Sequence, residues 1–365
     1  MDPEPGRTGA AVAAGSLAPP PGSPEAGGGG PGVSIILRTC LIGAVGGGLA
    51  HWAGFPSDWL LGAMLLVALA AMAGVEMRMP KSLLPVIQAT LGVAVGLRLD
   101  LNIPGPAALL FSVAGLLLCL GTQIPLTQWL LQRLGWSRQE SMLAASPGAL
   151  SVMAALATDL DNPLRVILSQ TVRVIMLVSL VGLAMALEWV PVAAMPDSTG
   201  LSVPATGLLI LAAWCLGRLG ARLPASYILS GVLSAGGYAA WQGEPLVPAA
   251  GVIPVGMVLL GALVGSRLRP LPAREMGYLL LVGVLITLSS SLMALVWAAA
   301  VAWWLEVPLF QVWLAYAPGA VEAMIYLALV TGLEPSWVIF HHVLRILLLS
   351  ASAAWLIRRA EAGRD

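Results

Sequence analysis

Two arginines, Arg173 and Arg345, lie inside long apolar runs, each ten residues beyond a proline, Pro163 or Pro335. Upstream of each stands the same short motif. Ser146-Pro147-Gly148-Ala149-Leu150-Ser151-Val152-Met153 returns as Ala317-Pro318-Gly319-Ala320-Val321-Glu322-Ala323-Met324. Proline removes a backbone donor and clashes with the preceding turn, so Pro-Gly splits a helix in two. The half-helix that starts after such a break presents free N–H groups and the positive end of its dipole, which suits an anion or a carboxylate. An arginine at the centre of a bilayer costs about 2.5–3.5 kcal/mol and must face a partner or a wet cavity. Arg173 and Arg345 therefore either clamp carbonyls freed by the breaks or touch an anionic substrate directly. Ser146, Pro147, Gly148, Ser151, Arg173, Pro318, Gly319, Glu322 and Arg345 form the expected substrate site.

The two copies differ in ways that bear on mechanism. Glu322 aligns with Ser151, and His342 holds the place before Arg345 that Gln170 holds before Arg173. The spacing predicts that Glu322 partly neutralises Arg345, which leaves Arg173 available to an anion. Glu322 is also a candidate proton or cation site, against the plainer reading of a first-turn glutamate that complements the helix dipole. His342, on the same helix face as Arg345, is a candidate proton relay, against the plainer reading of a ring that hydrogen-bonds a neighbour. The adjacent His341 points elsewhere and is expected to be incidental.

These residues sit in a chain of 365 residues that is 58% hydrophobic and 10% charged, with a mean hydropathy of +0.89 and no net charge. Apolar runs long enough to span a bilayer recur from about residue 34 to 357, which predicts a polytopic, all-α transmembrane bundle. The Pro-, Gly- and Ala-rich residues 1–33 read as a disordered tail. Cys40, Cys119 and Cys215 lie in apolar runs without paired or ligand spacing, so neither disulfide, metal nor cofactor is expected. An intramembrane enzyme would need a nucleophile–base pair or a metal cluster. Neither is evident, nor is a phosphate-binding loop or a basic nucleic-acid patch. The chain reads as a non-enzyme whose partners are the lipid bilayer, a small solute and a second copy in a homodimer.

The duplication extends beyond the opening motif. Pro56-Ser57-Asp58-Trp59-Leu60-Leu61-Gly62 matches Pro224-Ala225-Ser226-Tyr227-Ile228-Leu229-Ser230, and Leu91-Gly92-Val93-Ala94-Val95-Gly96-Leu97-Arg98 matches Leu260-Gly261-Ala262-Leu263-Val264-Gly265-Ser266-Arg267. A steady offset of about 170 residues across three motifs defines membrane repeats at 34–190 and 203–358. The glycine pairs Gly92/Gly96 and Gly261/Gly265 are small-xxx-small faces for close helix packing. Each repeat has six apolar stretches, roughly 34–53, 57–75, 82–99, 104–132, 139–158 and 164–188, then 203–221, 225–241, 247–266, 275–301, 308–330 and 336–357. If all twelve crossed, the basic loops of the two halves would face opposite sides. If the fifth stretch of each half dips in and returns, the N-terminus, Arg78, Lys81, Arg133, Arg138, Arg218, Arg267, Arg274 and the C-terminus share one side, and Glu188, Glu244, Glu306 and Glu334 share the other with Arg98 alone. The positive-inside rule selects the second arrangement: two inverted repeats of about five crossings, each with a broken or re-entrant helix, and both termini in the cytoplasm.

The duplicated Pro-Gly-Ala…Met motif, the downstream arginine and the twin Gly-x-x-x-Gly-x-Arg segments resemble the AbrB-type duplicated membrane family, over about residues 34–358. That resemblance implies a bacterial inner-membrane protein carrying the labels of a regulator of gene expression or an ammonia monooxygenase. The second label would require a copper-ligand cluster, and the chain has three histidines, His51, His341 and His342. The function expected from the residues is secondary transport of a small anionic or carboxylate-bearing solute. The alternative is a membrane-embedded ligand sensor that acts indirectly on gene expression.

Overall fold

The computed structural model describes residues 32–99, 105–146, 163–190, 199–221, 223, 225–244 and 246–362, with the side chains of Pro163 and of residues 350–362 left aside. The tail up to residue 31, and Pro147, Gly148 and Ser151 of the first motif, lie outside the described residues. The chain is an all-α bundle. The first half contributes α1 (Val33–Trp52), α2 (Asp58–Met72), α3 (Leu84–Gly96), α4 (Pro106–Arg133), α5 (Arg138–Ala145) and α6 (Pro163–Ala186). The second contributes α7 (Val203–Leu219), α8 (Ser226–Gln242), α9 (Val252–Gly265), α10 (Ala273–Leu305), α11 (Leu309–Tyr316), α12 (Val321–Thr331) and α13 (Pro335–Ala362). Four of them, α1, α4, α10 and Leu164–Ala186 of α6, are long and apolar enough to cross a bilayer. The starts and stops follow local chemistry. Pro106 opens α4 in its first turn, Ser137 and Glu140 form a capping box on α5, and Gly332 ends α12 at φ +69°.

The stretch 308–330 splits into α11 and α12 at Ala317–Ala320, and of 139–158 the helix α5 ends at Ala145 with Ser146 extended, while the residues from 147 lie outside the described residues. A third, 247–266, becomes helical only at Val252, because Leu246 and Val247 pair in parallel with Thr199 and Gly200. Nothing in the local pattern of either segment marks that two-residue ladder.

The repeats pack by exchanging partners. α2 of the first half lies on α9 of the second, and α3 of the first lies on α8 of the second. The glycines set how close these pairs come. A Cβ at Gly96 would stand 2.6 Å from the Val232 carbonyl oxygen, and one at Gly92 would clash with the Ile228 carbonyl oxygen. The matching glycines behave alike: Gly261 meets the Leu60 carbonyl oxygen and Gly265 that of Met64, each at 2.6 Å. Equivalent residues thus make equivalent contacts, as a pseudo-two-fold axis requires.

The direction of that axis follows from the fourth helices. Along α4 and α10, Phe111 stacks on Trp304, Thr122 accepts from Trp297 Nε1 at 2.9 Å, Thr127 meets Ser289, and Trp136 beyond α4 donates to Tyr278 at 2.9 Å. One partner number rises as the other falls, so the equivalent helices run antiparallel. An axis along the helices would make them parallel. The repeats are therefore inverted.

The broken fifth segment is re-entrant by the same logic. Gln311, Leu314 and Ala317 on α11 meet Glu334, His342 and Arg345 on α13 in rising order, so α11 and α13 run parallel. The short link Gly332–Glu334 makes α12 antiparallel to α13. α11 and α12 therefore oppose each other, and the chain leaves on the side it entered. In the first half, Trp136, Leu143 and Ala144 meet Arg165, Gln170 and Arg173, so α5 runs along α6 as α11 runs along α13.

Single cysteines at the exposed Glu306 and Glu334 should react with an impermeant maleimide from the same side of sealed vesicles; labelling from opposite sides would refute the re-entrant hairpin. Gly96→Ala and Gly265→Ala should each cost about 1–3 kcal/mol by overpacking. Gly121→Ala, which meets nothing within 4 Å, should leave the unfolding temperature unchanged or slightly raised.

Candidate functional site

Tyr316 ends α11, and Ala317 (φ −57°, ψ 140°) and Ala320 (φ −69°, ψ 135°) are extended before α12 begins. Pro318 supplies no donor, and no side chain caps α12. The last carbonyls of α11 are left without helical partners. In an apolar interior each such group costs a few kcal/mol unless it is hydrogen-bonded. Three groups on α13 meet this need. Arg345 Nη1 donates to the Ala317 carbonyl at 2.6 Å, and Nη2 donates to the Gly319 carbonyl at 3.1 Å. His342 Nε2 donates to the Leu314 carbonyl at 3.0 Å. A carbonyl only accepts, so this contact fixes the proton on Nε2, and Nδ1 is left to accept from Arg345 Nη2 at 2.7 Å. Both ring nitrogens are committed, and His342 and Arg345 are fully buried.

The first half repeats the device with a different residue. Gln170 Nε2 donates to the Leu143 carbonyl at 2.9 Å and Arg173 Nη1 to the Ala144 carbonyl at 3.2 Å. Gln170 and His342, which differ in chemistry, do the same work: each donates to a carbonyl in the last turn of the short helix before the break. In this arrangement His342 is a strut, and the relay expected of it has no free nitrogen to use. Ser146 turns its hydroxyl back onto the Met142 carbonyl at 2.9 Å. Pro318 and Gly319 lie at the break as expected, and a side chain at Gly319 would press on Met324 and Leu177.

Glu322 does not reach Arg345. Among the described residues the contacts within 4 Å between a carboxylate and a basic side chain are His51–Asp58 and Arg78–Glu76. Glu322 Oε1 instead accepts from Gln88 Nε2 on α3 at 2.6 Å, and the charge it acts on is that of Arg267, beyond the end of α9. The expectation that Glu322 neutralises Arg345 is corrected for a geometric reason. The second position of α12 faces α3, whereas Arg345 approaches the break from α13. Both arginines lie in the interior without a carboxylate within 4 Å among the described residues. Arg173 also lies close enough for its charge to act on Arg345.

Sequence reasoning missed a second buried cluster. His341 Nδ1 donates to the Trp337 carbonyl at 2.8 Å, so its Nε2 accepts from the Ser112 hydroxyl at 2.7 Å. Tyr316 OH donates to the Ser112 carbonyl at 2.5 Å. Ser112, Tyr316 and His341 are each 0% exposed. His341 is therefore not incidental: with Tyr316 it ties the end of α11 and the start of α13 to α4. The four-residue spacing from Trp337 to His341 was visible in the chain, but nothing marked Ser112 as its partner.

A helical membrane bundle of two inverted repeats, with a helix break held by a buried arginine on the following helix, is the class that this fold and site define. The family model described as transition state regulatory protein AbrB matches the chain over residues 8–105 and again over 59–361, and the chain belongs to the AbrB family. No curated protein matches the chain.

Ser112→Ala should cost about 1–3 kcal/mol, because it leaves His341 Nε2 buried without a donor. His342→Gln, which installs the residue the first half uses, should cost less than about 1.5 kcal/mol. Thermal unfolding of the two purified variants compares them directly, and the reverse order of losses would refute the strut role of His342.

Proposed function

We propose that this protein is a secondary transporter of a small anionic or carboxylate-bearing solute, with its site where the re-entrant break meets the two buried arginines. The observation that carries the reading is the pair of buried guanidiniums, without a carboxylate within 4 Å among the described residues, that hold the ends of α5 and α11 in an inverted repeat. Burying a cation costs several kcal/mol unless it is compensated, and carbonyl contacts alone do not neutralise it. Inverted repeats with broken helices at mid-membrane are a recurrent design for alternating access. Glu322, held by Gln88 and near Arg267, is the candidate coupling group in place of His342. The sidedness expected of the basic loops supports both termini in the cytoplasm, and the family supports a bacterial inner membrane.

A second reading is favoured by the regulatory description of the family: a membrane-embedded sensor whose ligand occupies the same site. One experiment separates the two. Purified protein is screened by thermal shift against small carboxylates and then reconstituted into liposomes for flux. A ligand present at 100 times its Kd should stabilise the protein by about 2.7 kcal/mol. Stabilisation with counterflow of the same solute is the expected result. Stabilisation without flux would sink the transporter and leave the sensor.

A further inference from the structure

Five buried side-chain donors lack a hydrogen-bond partner among the described residues: Ser291 Oγ, Trp337 Nε1 and, on three different helices, Arg173 Nε, Arg345 Nε and Gln123 Nε2. Arg173 is 4% exposed, and Arg345 and Gln123 are 0% exposed. They come from α6, α13 and α4, and packing brings these helices together: Arg345 donates to the Gly319 carbonyl, a Cβ at Gly319 would stand 2.9 Å from Leu177 Cδ2, one turn beyond Arg173, and Ser112 of α4 bonds His341, one turn before Arg345. Arg173 acts on Arg345, and Arg345 acts on Cys119, one turn before Gln123. Cys119 Sγ contacts Gln123 Oε1 at 3.6 Å, so the amide oxygen is engaged while the amide nitrogen is idle. A buried unsatisfied donor is costly, and more so when it is charged. Three unused donors, two of them on cations that repel each other, share one requirement: an acceptor with two negative charges. A monoanion would leave one buried charge uncompensated.

We propose that Arg173, Arg345 and Gln123 together bind a small dianion of the dicarboxylate class, with Gln123 as a binding residue contributed by α4, which packs against the helix that carries Arg345. This rests on the anion-transport reading above and sharpens its substrate. The chemistry needs no covalent step: each Nε–H and the Gln123 amide donate to a ligand oxygen, while the remaining contacts of Arg345 go on holding the break.

The test measures binding to the full-length protein in detergent at pH 8, with succinate, its mono-amide succinamate, and sulfate. Succinate and succinamate match in size and differ by one charge. Succinate should bind at least about tenfold more tightly, and Gln123→Met should weaken it several-fold while the ligand-free unfolding temperature stays put. Equal affinity for succinate and succinamate, or no binding of either dianion, would overturn the proposal. Sulfate binding as tightly as succinate would support the dianion requirement and assign the site to oxyanions. Flux of succinamate with succinate excluded would overturn the dianion and keep the transporter. Succinate binding without flux would keep the dianion and overturn the transporter.

Discussion

An interrupted helix in an apolar interior must find partners for the carbonyls it frees, and much of this structure answers that demand. The break at Ala317–Ala320 leaves α11 with open carbonyls, and Arg345 and His342 reach three carbonyls around it from one face of α13. That requirement fixes the distance from break to arginine, since the donors must sit where the following helix passes the end of the short one. It also explains why two arginines survive at a depth where a charge is costly. Each has a structural use before any ligand arrives, and each keeps an Nε–H over.

The second determinant is how the repeats interlock. Each half packs on itself, α1 on α2 and α7 on α8, and also on the other half. α2 and α3 of the first half each lie on a helix of the second, and four glycines at matched positions bring the backbones into contact. The antiparallel run of α4 and α10 turns the second repeat over relative to the first. Inversion brings the two arginine clamps in from opposite sides, so they become near neighbours in the interior. The chain thus concentrates positive charge at its centre without a nearby carboxylate among the described residues.

Much of this was legible in the residues. The steady offset between motifs gave the duplication, the sidedness of the basic loops gave the inversion, and the glycine pairs gave the close helix contacts that the structure places within about 3 Å of a backbone. What failed was the choice of partners for particular side chains. Glu322 was matched to Arg345 because both lie near the break in sequence, but the helix phase turns it toward Gln88, a residue 234 positions away. His341 was set aside although it lies at the centre of a buried network with Ser112, 229 positions distant. Pairings over such separations depend on which faces meet, and a single sequence does not encode that locally.

The sequence by itself determined an all-α membrane chain, its two repeats, their inversion and the position of the break at Pro318-Gly319. Those rest on composition, periodicity and charge placement, which act over a few residues or over whole loops. The tertiary structure alone decided that Gln170 and His342 do equivalent work, that Glu322 bonds Gln88, and that His341 ties α13 to α4 through Ser112. The reason is that a hydrogen bond needs its two atoms within about 3 Å, and only the packed bundle sets which helices come that close.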